Sequence, residues 1–335
     1  MTTPSNHNGR LLVVDDLKVD IALDRGVVHA VRGISFEISP GEMIGLLGES
    51  GCGKTITALS IPGLTREIPG AHIQGRILFR PSKPEADTEL DVVTASRAEL
   101  RSIRGNEIGM VFQDPMSSLN PVFTIGFQVM EPLMLHRGMS KEDARRESIN
   151  LLRTVGIPDP DQRFNHYPHQ LSGGMRQRVM IAMSLSCRPS LLLADEPTTA
   201  LDVTIQAQIL SLLLRLKDEF GASIILITHD MSIVAGTCSR ILVMYAGRIV
   251  EETTDKEFFS APHHPYSRAL LDSLPRVDAR RRLRPVPGQP PDLLAPPEGC
   301  AYAERCQRAT GECFKTHPEM TALGPGRVSC YHPLA

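Results

Sequence analysis

A glycine-rich segment, GESGCGKT at residues 48–55, directly follows the apolar run MIGLL and constrains the fold more than any other feature. The unbroken apolar run predicts a strand that is buried on both faces of a sheet. The next residues, ITALSI, can begin a helix. A strand, a Gly-x-x-x-x-Gly-Lys-Thr loop and a helix, in that order, are typical of a phosphate-binding loop. The sequence therefore predicts an α/β fold that binds a nucleotide.

The residue types of this segment suit a nucleotide's phosphates. Glycines let the backbone curl so that its N–H groups point at phosphate oxygens, and the start of the following helix adds partial positive charge. Lys54 would neutralise the β- and γ-phosphates, and the Thr55 hydroxyl would ligate Mg²⁺. The predicted nucleotide-binding residues of this segment are Gly48, Ser50, Gly51, Gly53, Lys54 and Thr55.

A second apolar run, LLLADEP at residues 191–197, ends in two acidic residues. Ligands of open α/β sheets bind at the carboxyl ends of the strands, which is where these acids are predicted to lie. Asp195 would hold Mg²⁺ through its water shell, and Glu196 would orient or deprotonate the attacking water. Alone, the two acids are equally typical of a solvated strand end; together with the phosphate-binding loop they favour catalysis.

A third segment, LSGGMRQR at residues 171–178, predicts a second helix start that faces phosphate. Ser172, Gly173 and Gly174 carry this prediction, although a serine before a helix is also common as a simple N-cap. One domain needs only one phosphate-binding loop for its nucleotide. The second helix start therefore indicates that the nucleotide lies between two subunits.

Strand and helix patterns alternate along the chain, which predicts a largely parallel sheet covered on both sides. Residues 11–47 and 73–79 read as strands, and residues from about 97 to 180 read as mostly helical. We predict a nucleotide-binding domain at 11–275, with a helical subdomain at about 97–180. A proline-rich linker and a small cysteine-rich extension occupy 276–335.

Composition argues against nucleic acid as a partner. The net charge is −2, aromatic residues make up 4% and tryptophan is absent, so base-stacking platforms are not expected. The arginines at 280–284 are more typical of a solvated surface or a subunit contact than of a nucleic-acid patch. No apolar run approaches about 20 residues, and the N-terminus does not read as a secretory signal. We expect a cytosolic chain that acts on membranes through partners.

Together with Gln113, ALD at 200–202 and His229, these segments resemble the ATP-binding subunits of ABC transporters. Longer strings resemble the branch that imports dipeptides and oligopeptides; they are FQDPMSSLNP at 112–121, YPHQLSGGMRQR at 167–178, HPYSRALL at 264–271 and the tail PGQPPDL followed by spaced cysteines. The resemblance runs from about residue 11 to the C-terminus. It implies ATP hydrolysis that drives peptide uptake, with nickel, glutathione or oligosaccharide as the cargo of related systems.

The resemblance also implies roles for single residues. Gln113 would sense the γ-phosphate and Mg²⁺, Asp202 would lie at the interface between two ATPase subunits, and His229 would contact the γ-phosphate. The Ser-Gly-Gly segment would close on ATP held by the partner. The implied catalytic residues are Glu196, His229 and Gln113, and the implied Mg²⁺ ligands are Thr55, Gln113 and Asp195.

The implied partners are a second ATPase subunit, which the family favours as a homologue rather than an identical copy, two transmembrane permease subunits and an extracytoplasmic substrate-binding protein. This places the chain peripherally on the cytoplasmic face of the membrane. A soluble ABC ATPase that acts on nucleic acid or ribosomes is the alternative. A single ATPase core without a long coiled-coil insertion argues against it.

The sequence departs from the family upstream of the phosphate-binding loop. Members often have an aromatic ring there that stacks on adenine, whereas this chain has RGVVHAV. His29 or Val28 is the predicted replacement.

The C-terminal cysteines Cys300, Cys306, Cys313 and Cys330 leave three interpretations open. Structural zinc sites usually contain a closely spaced pair of ligands, which is missing here. The intervals match neither common ferredoxin pattern, and free thiols remain the simplest alternative. The resemblance implies a 4Fe–4S cluster. A further hypothesis makes this tail a redox sensor that gates the ATPase.

Overall fold

The computed structural model describes residues 9–80, 89–199, 201–274 and 286–334. The chain divides into two compact units. The first unit comprises Met1–Val13, Glu37–Glu42 and Leu78–Ile227, and the second comprises Val14–Phe36, Met43–Ile77 and Thr228–Ala335. The arginine run at 280–284 and Ala200 lie outside the described residues.

The strands, in chain order, are β1 (Leu12–Leu23), β2 (Gly26–Ile38), β3 (Met43–Leu47), β4 (Ala71–Phe79), β5 (Leu90–Asp91), β6 (Ile108–Val111), β7 (Leu191–Asp195), β8 (Ser223–Thr228), β9 (Arg240–Tyr245), β10 (Arg248–Thr254), β11 (Thr321–Leu323) and β12 (Gly326–Val328). The α-helices are α1 (Lys54–Ser60), α2 (Arg97–Ile103), α3 (Pro115–Ser118), α4 (Ile125–Arg137), α5 (Lys141–Thr154), α6 (Pro160–Arg163), α7 (Gly173–Leu185), α8 (Val203–Phe220), α9 (Met231–Val234), α10 (Asp255–Ser260) and α11 (Pro265–Asp272).

The first unit is built on the parallel strands β6, β7 and β8, with β7 between the other two. Strand β7 is buried along its whole length, as an unbroken apolar run in a covered parallel sheet should be. The helices begin at polar residues that cap their first turn: the side chains of Thr124, Ser140 and Ser172 accept backbone N–H bonds at the starts of α4, α5 and α7. These caps fix where each helix begins.

The second unit contains the parallel pair β3 and β9, extended by antiparallel strand β10. The C-terminal region continues this sheet: β12 pairs antiparallel with β10, and β11 pairs with β12. Val328 of β12 is 1% exposed, and Arg327 forms a 2.7 Å ion pair from its Nε to Glu252 of β10. The tail is thus part of the sheet and not a separate appendage.

The structure confirms the predicted strands MIGLL and LLLAD. One short strand, β6, lies within the stretch 97–180 that was predicted to be mostly helical. Four residues of strand are too short to reveal a period of two against a helical background. The tail contributes buried residues to the second unit, such as Val328. In the described ranges, no helix has the length and apolar character to cross a membrane.

Candidate active site

The phosphate-binding loop lies in the second unit, between buried strand β3 and helix α1. Its shape depends on glycine at two positions. A Cβ atom on Gly48 would lie 2.3 Å from the carbonyl oxygen of Met244, and one on Gly53 would lie 2.3 Å from that of Ala30. Gly53 also has φ of 105°, a conformation that residues with a side chain rarely adopt. No larger residue fits this path of the backbone.

The loop lysine bonds to its own loop. Lys54 is 5% exposed, and its Nζ donates to the carbonyl oxygens of Gly48 at 2.7 Å and Glu49 at 2.9 Å. These carbonyls hold a cation that would otherwise be costly to bury. Ser50 and Thr55 are exposed, so their hydroxyls are open to a ligand.

Strand β2 carries the residues expected to contact adenine. The ring of His29 is hydrogen-bonded through Nδ1 to Asp20 Oδ1 at 2.7 Å, and both side chains are partly exposed. The backbone N–H of His29 donates to the carbonyl of Leu293 at 2.9 Å. Val28 is partly exposed beside it. The contact with adenine stays a prediction for both His29 and Val28.

The acidic pair lies at the carboxyl end of β7 in the first unit. Asp195 is 2% exposed. Glu196 has φ of 46°, and its N–H donates to the carbonyl of Ile227 at 2.8 Å. A glutamate with positive φ is uncommon, and such a backbone conformation persists only where the surrounding structure holds it. The turn at Glu196 directs the two neighbouring carboxylates differently.

The structure brings Gln113 and Glu196 together. Gln113 Nε2 donates to Glu196 Oε2 at 2.9 Å, and the hydroxyl of Thr199 donates to the same oxygen at 2.8 Å. Thr199 was missed from the sequence. Its spacing of three residues from Glu196, in a turn after a strand, is the signal that points to it. The carboxylate is oriented by two neutral donors and carries no ion pair with them.

The Ser-Gly-Gly segment begins helix α7, as expected. Ser172 is exposed and caps the helix, with its Oγ accepting from the N–H of Met175 at 3.4 Å. A Cβ atom on Gly174 would lie 3.1 Å from Ile205 Cγ2 in α8, and Gly173 lies before it at the helix start. The segment shows a local capping role, and its phosphate role stays a prediction.

Two other predicted residues follow secondary structure elements. Asp202 is the N-cap of α8, where its Oδ1 accepts from the N–H of Ile205 at 3.0 Å. His229 is exposed in the second unit, immediately after β8 ends. The hydroxyl of Thr228 accepts from the N–H of Asp230 at 2.9 Å, which fixes the turn that carries the histidine.

The C-terminal cysteines gather in the second unit. Their four thiols line one cavity, and Tyr302 and His264 lie in its wall. Burial is the main reason that the pKa of the Cys300 thiol is raised to about 11, and the neighbouring thiols act in the same direction. The backbone N–H groups of Thr310 and His332 donate to Cys313 Sγ and Cys330 Sγ at 3.5 and 3.3 Å.

Within the described residues, no group of three or more histidine, cysteine or acidic side chains could hold a metal ion.

A phosphate-binding loop after a buried parallel strand, with acids at the end of another parallel strand, defines a P-loop nucleotide-hydrolysing fold. Comparisons with known proteins agree. A family model described as "ABC transporter" matches residues 31–199, and one described as "Oligopeptide/dipeptide transporter, C-terminal region" matches residues 250–313.

The dipeptide transport ATP-binding protein DppD of Bacillus subtilis is 48% identical over 324 residues, covering 96% of this chain and 94% of the relative. The oligopeptide transport ATP-binding protein OppD of Salmonella typhimurium is 47% identical over 326 residues, covering 97% and 94%. The chain belongs to this family of ABC transporter ATP-binding subunits and is an ABC-type ATPase.

Among solved structures, the ATP-binding cassette MJ0796, a dimer in a post-hydrolysis state with ADP and Pi, superposes with a TM-score of 0.63 at 29% identity. The match covers 72% of this chain and 98% of that one. The protein cbiO1 of Clostridium perfringens gives a TM-score of 0.61 at 31% identity, covering 76% and 92%. The predicted α/β fold of the ABC ATPase class is confirmed.

Proposed function

We propose that this chain hydrolyses ATP to drive the import of dipeptides or oligopeptides through partner permease subunits. The observation that carries the ATPase part is the Glu196 carboxylate, held by Gln113 at 2.9 Å and Thr199 at 2.8 Å directly after the buried strand β7. A carboxylate with its charge intact and its orientation fixed suits a general base. The matched peptide-transporter region and relatives support the peptide cargo.

ATP with Mg²⁺ is the substrate in this scheme. The hydroxyl of Thr55 and the carboxylate of Asp195 are the hard oxygen donors that Mg²⁺ prefers, so the donor set fits the ion. Lys54 exchanges its two loop carbonyls for phosphate oxygens and offsets their charge. The backbone of Gly51 and Gly53 and the exposed Ser50 line the phosphate side. Mg²⁺, when bound, supplies charge stabilisation at the phosphates.

Glu196 accepts the proton of the attacking water, and Gln113 holds the carboxylate in place while it does so. His229, exposed after β8, contacts the terminal phosphate. The partner ATPase subunit covers that phosphate with its own copy of the exposed serine–glycine helix start, equivalent to Ser172 here. Asp202 lies at this interface. The dimer of MJ0796 supports a paired arrangement, and the second subunit is a homologue.

The partners also include two permease subunits and an extracytoplasmic binding protein, so the chain lies peripherally on the cytoplasmic face of the membrane. The segment after Gln113 offers a surface for a permease. Met116, Val122 and Phe123 are 54%, 71% and 45% exposed, which is unusual for large apolar side chains so close in sequence. This segment, with Asn120 and Pro121, transmits closure of the ATPase dimer.

Purification of the intact complex from membranes tests this function. We expect permease subunits to co-purify, and peptide-loaded binding protein to stimulate phosphate release from ATP in reconstituted vesicles. Lys54→Ala should abolish both phosphate release and peptide uptake. Recovery of the chain with nucleic acid or ribosomes, and without permease subunits, would overturn the proposal.

We also propose that the cysteine cavity holds a 4Fe–4S cluster. The four thiols that line one cavity match in number the four thiolates that a 4Fe–4S cluster takes. The N–H bonds to Cys313 and Cys330 are of the kind that stabilise cluster-bound thiolates. Cluster binding would deprotonate thiols whose pKa burial otherwise raises, as at Cys300.

Metal and sulfide analysis of anaerobically purified full chain tests the cluster. We expect about four irons and four labile sulfides per chain, lost in Cys313→Ser. Cys238→Ser is the matched control, because Cys238 is a buried thiol outside the cavity and its removal should leave the iron content unchanged. Stoichiometric zinc, or an iron content that Cys313→Ser does not lower, would contradict the cluster.

A further inference from the structure

The second residue of the phosphate-binding loop is tied to the C-terminal region. Glu49 accepts two hydrogen bonds from Arg305, which lies 256 residues further along the chain. The distances are 2.7 Å from Nη1 to Oε2 and 2.9 Å from Nη2 to Oε1, the paired geometry in which a guanidinium matches a carboxylate. Both residues belong to the second unit.

Arg305 is buried, and its guanidinium group donates four hydrogen bonds. Its side chain is 4% exposed, against 25% for Glu49. Besides the two bonds to Glu49, Nη1 donates to the Tyr245 hydroxyl at 3.0 Å and Nε donates to the carbonyl of Pro287 at 2.6 Å. The bond to Glu49 is the largest of the effects that raise the pKa of Arg305. The guanidinium is therefore a fixed cation.

Three tyrosines hold this pair in place. The rings of Tyr245, Tyr266 and Tyr302 lie within 4.5 to 5.4 Å of one another, and the guanidinium lies 5.6 Å from the Tyr245 ring and 5.8 Å from the Tyr302 ring. The Tyr266 hydroxyl accepts from the backbone N–H of Glu49 at 2.9 Å. Arg305 therefore binds the side chain of Glu49, and Tyr266 binds its backbone. These residues from outside the loop fix the position of its first turn.

The charge of Glu49 creates a difficulty for phosphate binding. A carboxylate on the loop that receives a polyanion repels it, and the repulsion is strong where water is partly excluded. Arg305 places a positive charge directly on that carboxylate. The loop then presents the positive charge of Lys54 to the nucleotide without an opposing negative charge beside it.

We propose that Arg305 is a positioning residue for ATP hydrolysis: it neutralises Glu49 and fixes the first turn of the phosphate-binding loop from the C-terminal region. It acts through Glu49 and touches no nucleotide itself. The C-terminal region thereby contributes to the affinity of the loop for ATP.

Calorimetric binding of MgADP to the full chain, together with kcat and KM for MgATP, tests this proposal. Arg305→Met leaves Glu49 unneutralised, and we expect the Kd for MgADP and the KM to rise about tenfold while kcat changes less than about twofold. Glu49→Gln breaks the same ion pair but leaves the cation, so its Kd should equal or fall below that of the unaltered chain. The double variant should return to within about twofold.

The opposite signs separate charge neutralisation from a merely structural bridge, because a bridge would weaken binding in both single variants. Arg327→Met is the matched control. It breaks another ion pair of the tail, in which Arg327 Nε lies 2.7 Å from Glu252 Oε2. Glu252 belongs to strand β10 and not to the phosphate-binding loop. Thermal unfolding of each variant checks that it is folded. Equal weakening by Arg305→Met and Glu49→Gln, or by Arg305→Met and Arg327→Met, would overturn the proposal.

Discussion

Two glutamates, Glu196 in the first unit and Glu49 in the second, are held in different ways. Glu196 is bonded to an amide and a hydroxyl, both neutral. Glu49 is bonded to a buried guanidinium. Neutral donors orient a carboxylate and leave its charge available to take a proton, whereas an arginine cancels the charge. This difference agrees with the role of base that we propose for Glu196 and with the anchoring role that we propose for Glu49.

The largest effect should come from removing the charge of Glu196. Glu196→Gln keeps the shape and, with its amide oxygen in the place of Oε2, can accept both hydrogen bonds, but it cannot accept the proton of water. We expect kcat for MgATP to fall about 10²–10³-fold with little change in the Kd for MgADP. Glu142→Gln, on the exposed first turn of α5, serves as control. A substantial residual kcat in Glu196→Gln would remove this residue from the role of base.

Loosening Glu196 without changing its charge should have a smaller effect. Thr199→Val deletes the hydroxyl that donates to Oε2 and retains the side-chain shape. We expect kcat to fall about three- to tenfold at unchanged KM, since one of the bonds that orient the carboxylate is lost. Steady-state phosphate release measures this, with Thr204→Val of α8 as the matched hydroxyl deletion. An unchanged kcat would mean that the Thr199 hydroxyl is not needed to orient the carboxylate.

The smallest effect should come from an acid–arginine pair in water. Arg76 bonds to Asp15 at 2.6 Å, with side chains 57% and 45% exposed. We expect Arg76→Met to change the free energy of unfolding by less than about 0.5 kcal/mol, because solvent screens exposed pairs. Denaturant unfolding of the full chain measures it. If Arg76→Met lowers the free energy of unfolding as much as Arg305→Met does, burial is not what distinguishes the ion pair of Glu49 and Arg305 from an exposed pair.

The sequence predicted the site correctly where the functional residues lie next to the strand or helix that positions them. The phosphate-binding loop, the acidic end of β7 and the serine cap of α7 each lie in one short segment, so the strand or helix beside them could be read at the same time. The family resemblance implied that Gln113 and Glu196 are both catalytic, but the hydrogen bond between them was not predicted.

Contacts between distant segments were not predictable. Glu49 and Arg305 are 256 residues apart, and nothing near either one signals the other. Strand β12 is three residues long, too short for an alternating pattern, and it is stabilised by pairing with β10. Tertiary context supplied these structures where local preference was weak.

The pairing of β12 with β10 limits how far this chain can be shortened. A polypeptide that stops before the cysteine-rich tail would leave one side of β10 with a row of unsatisfied amide and carbonyl groups, opposite its partner β9. Bare strand edges of this kind recruit other molecules and cause aggregation. Attempts to prepare a minimal catalytic fragment should therefore yield precipitated protein, even though every nucleotide motif precedes the cut.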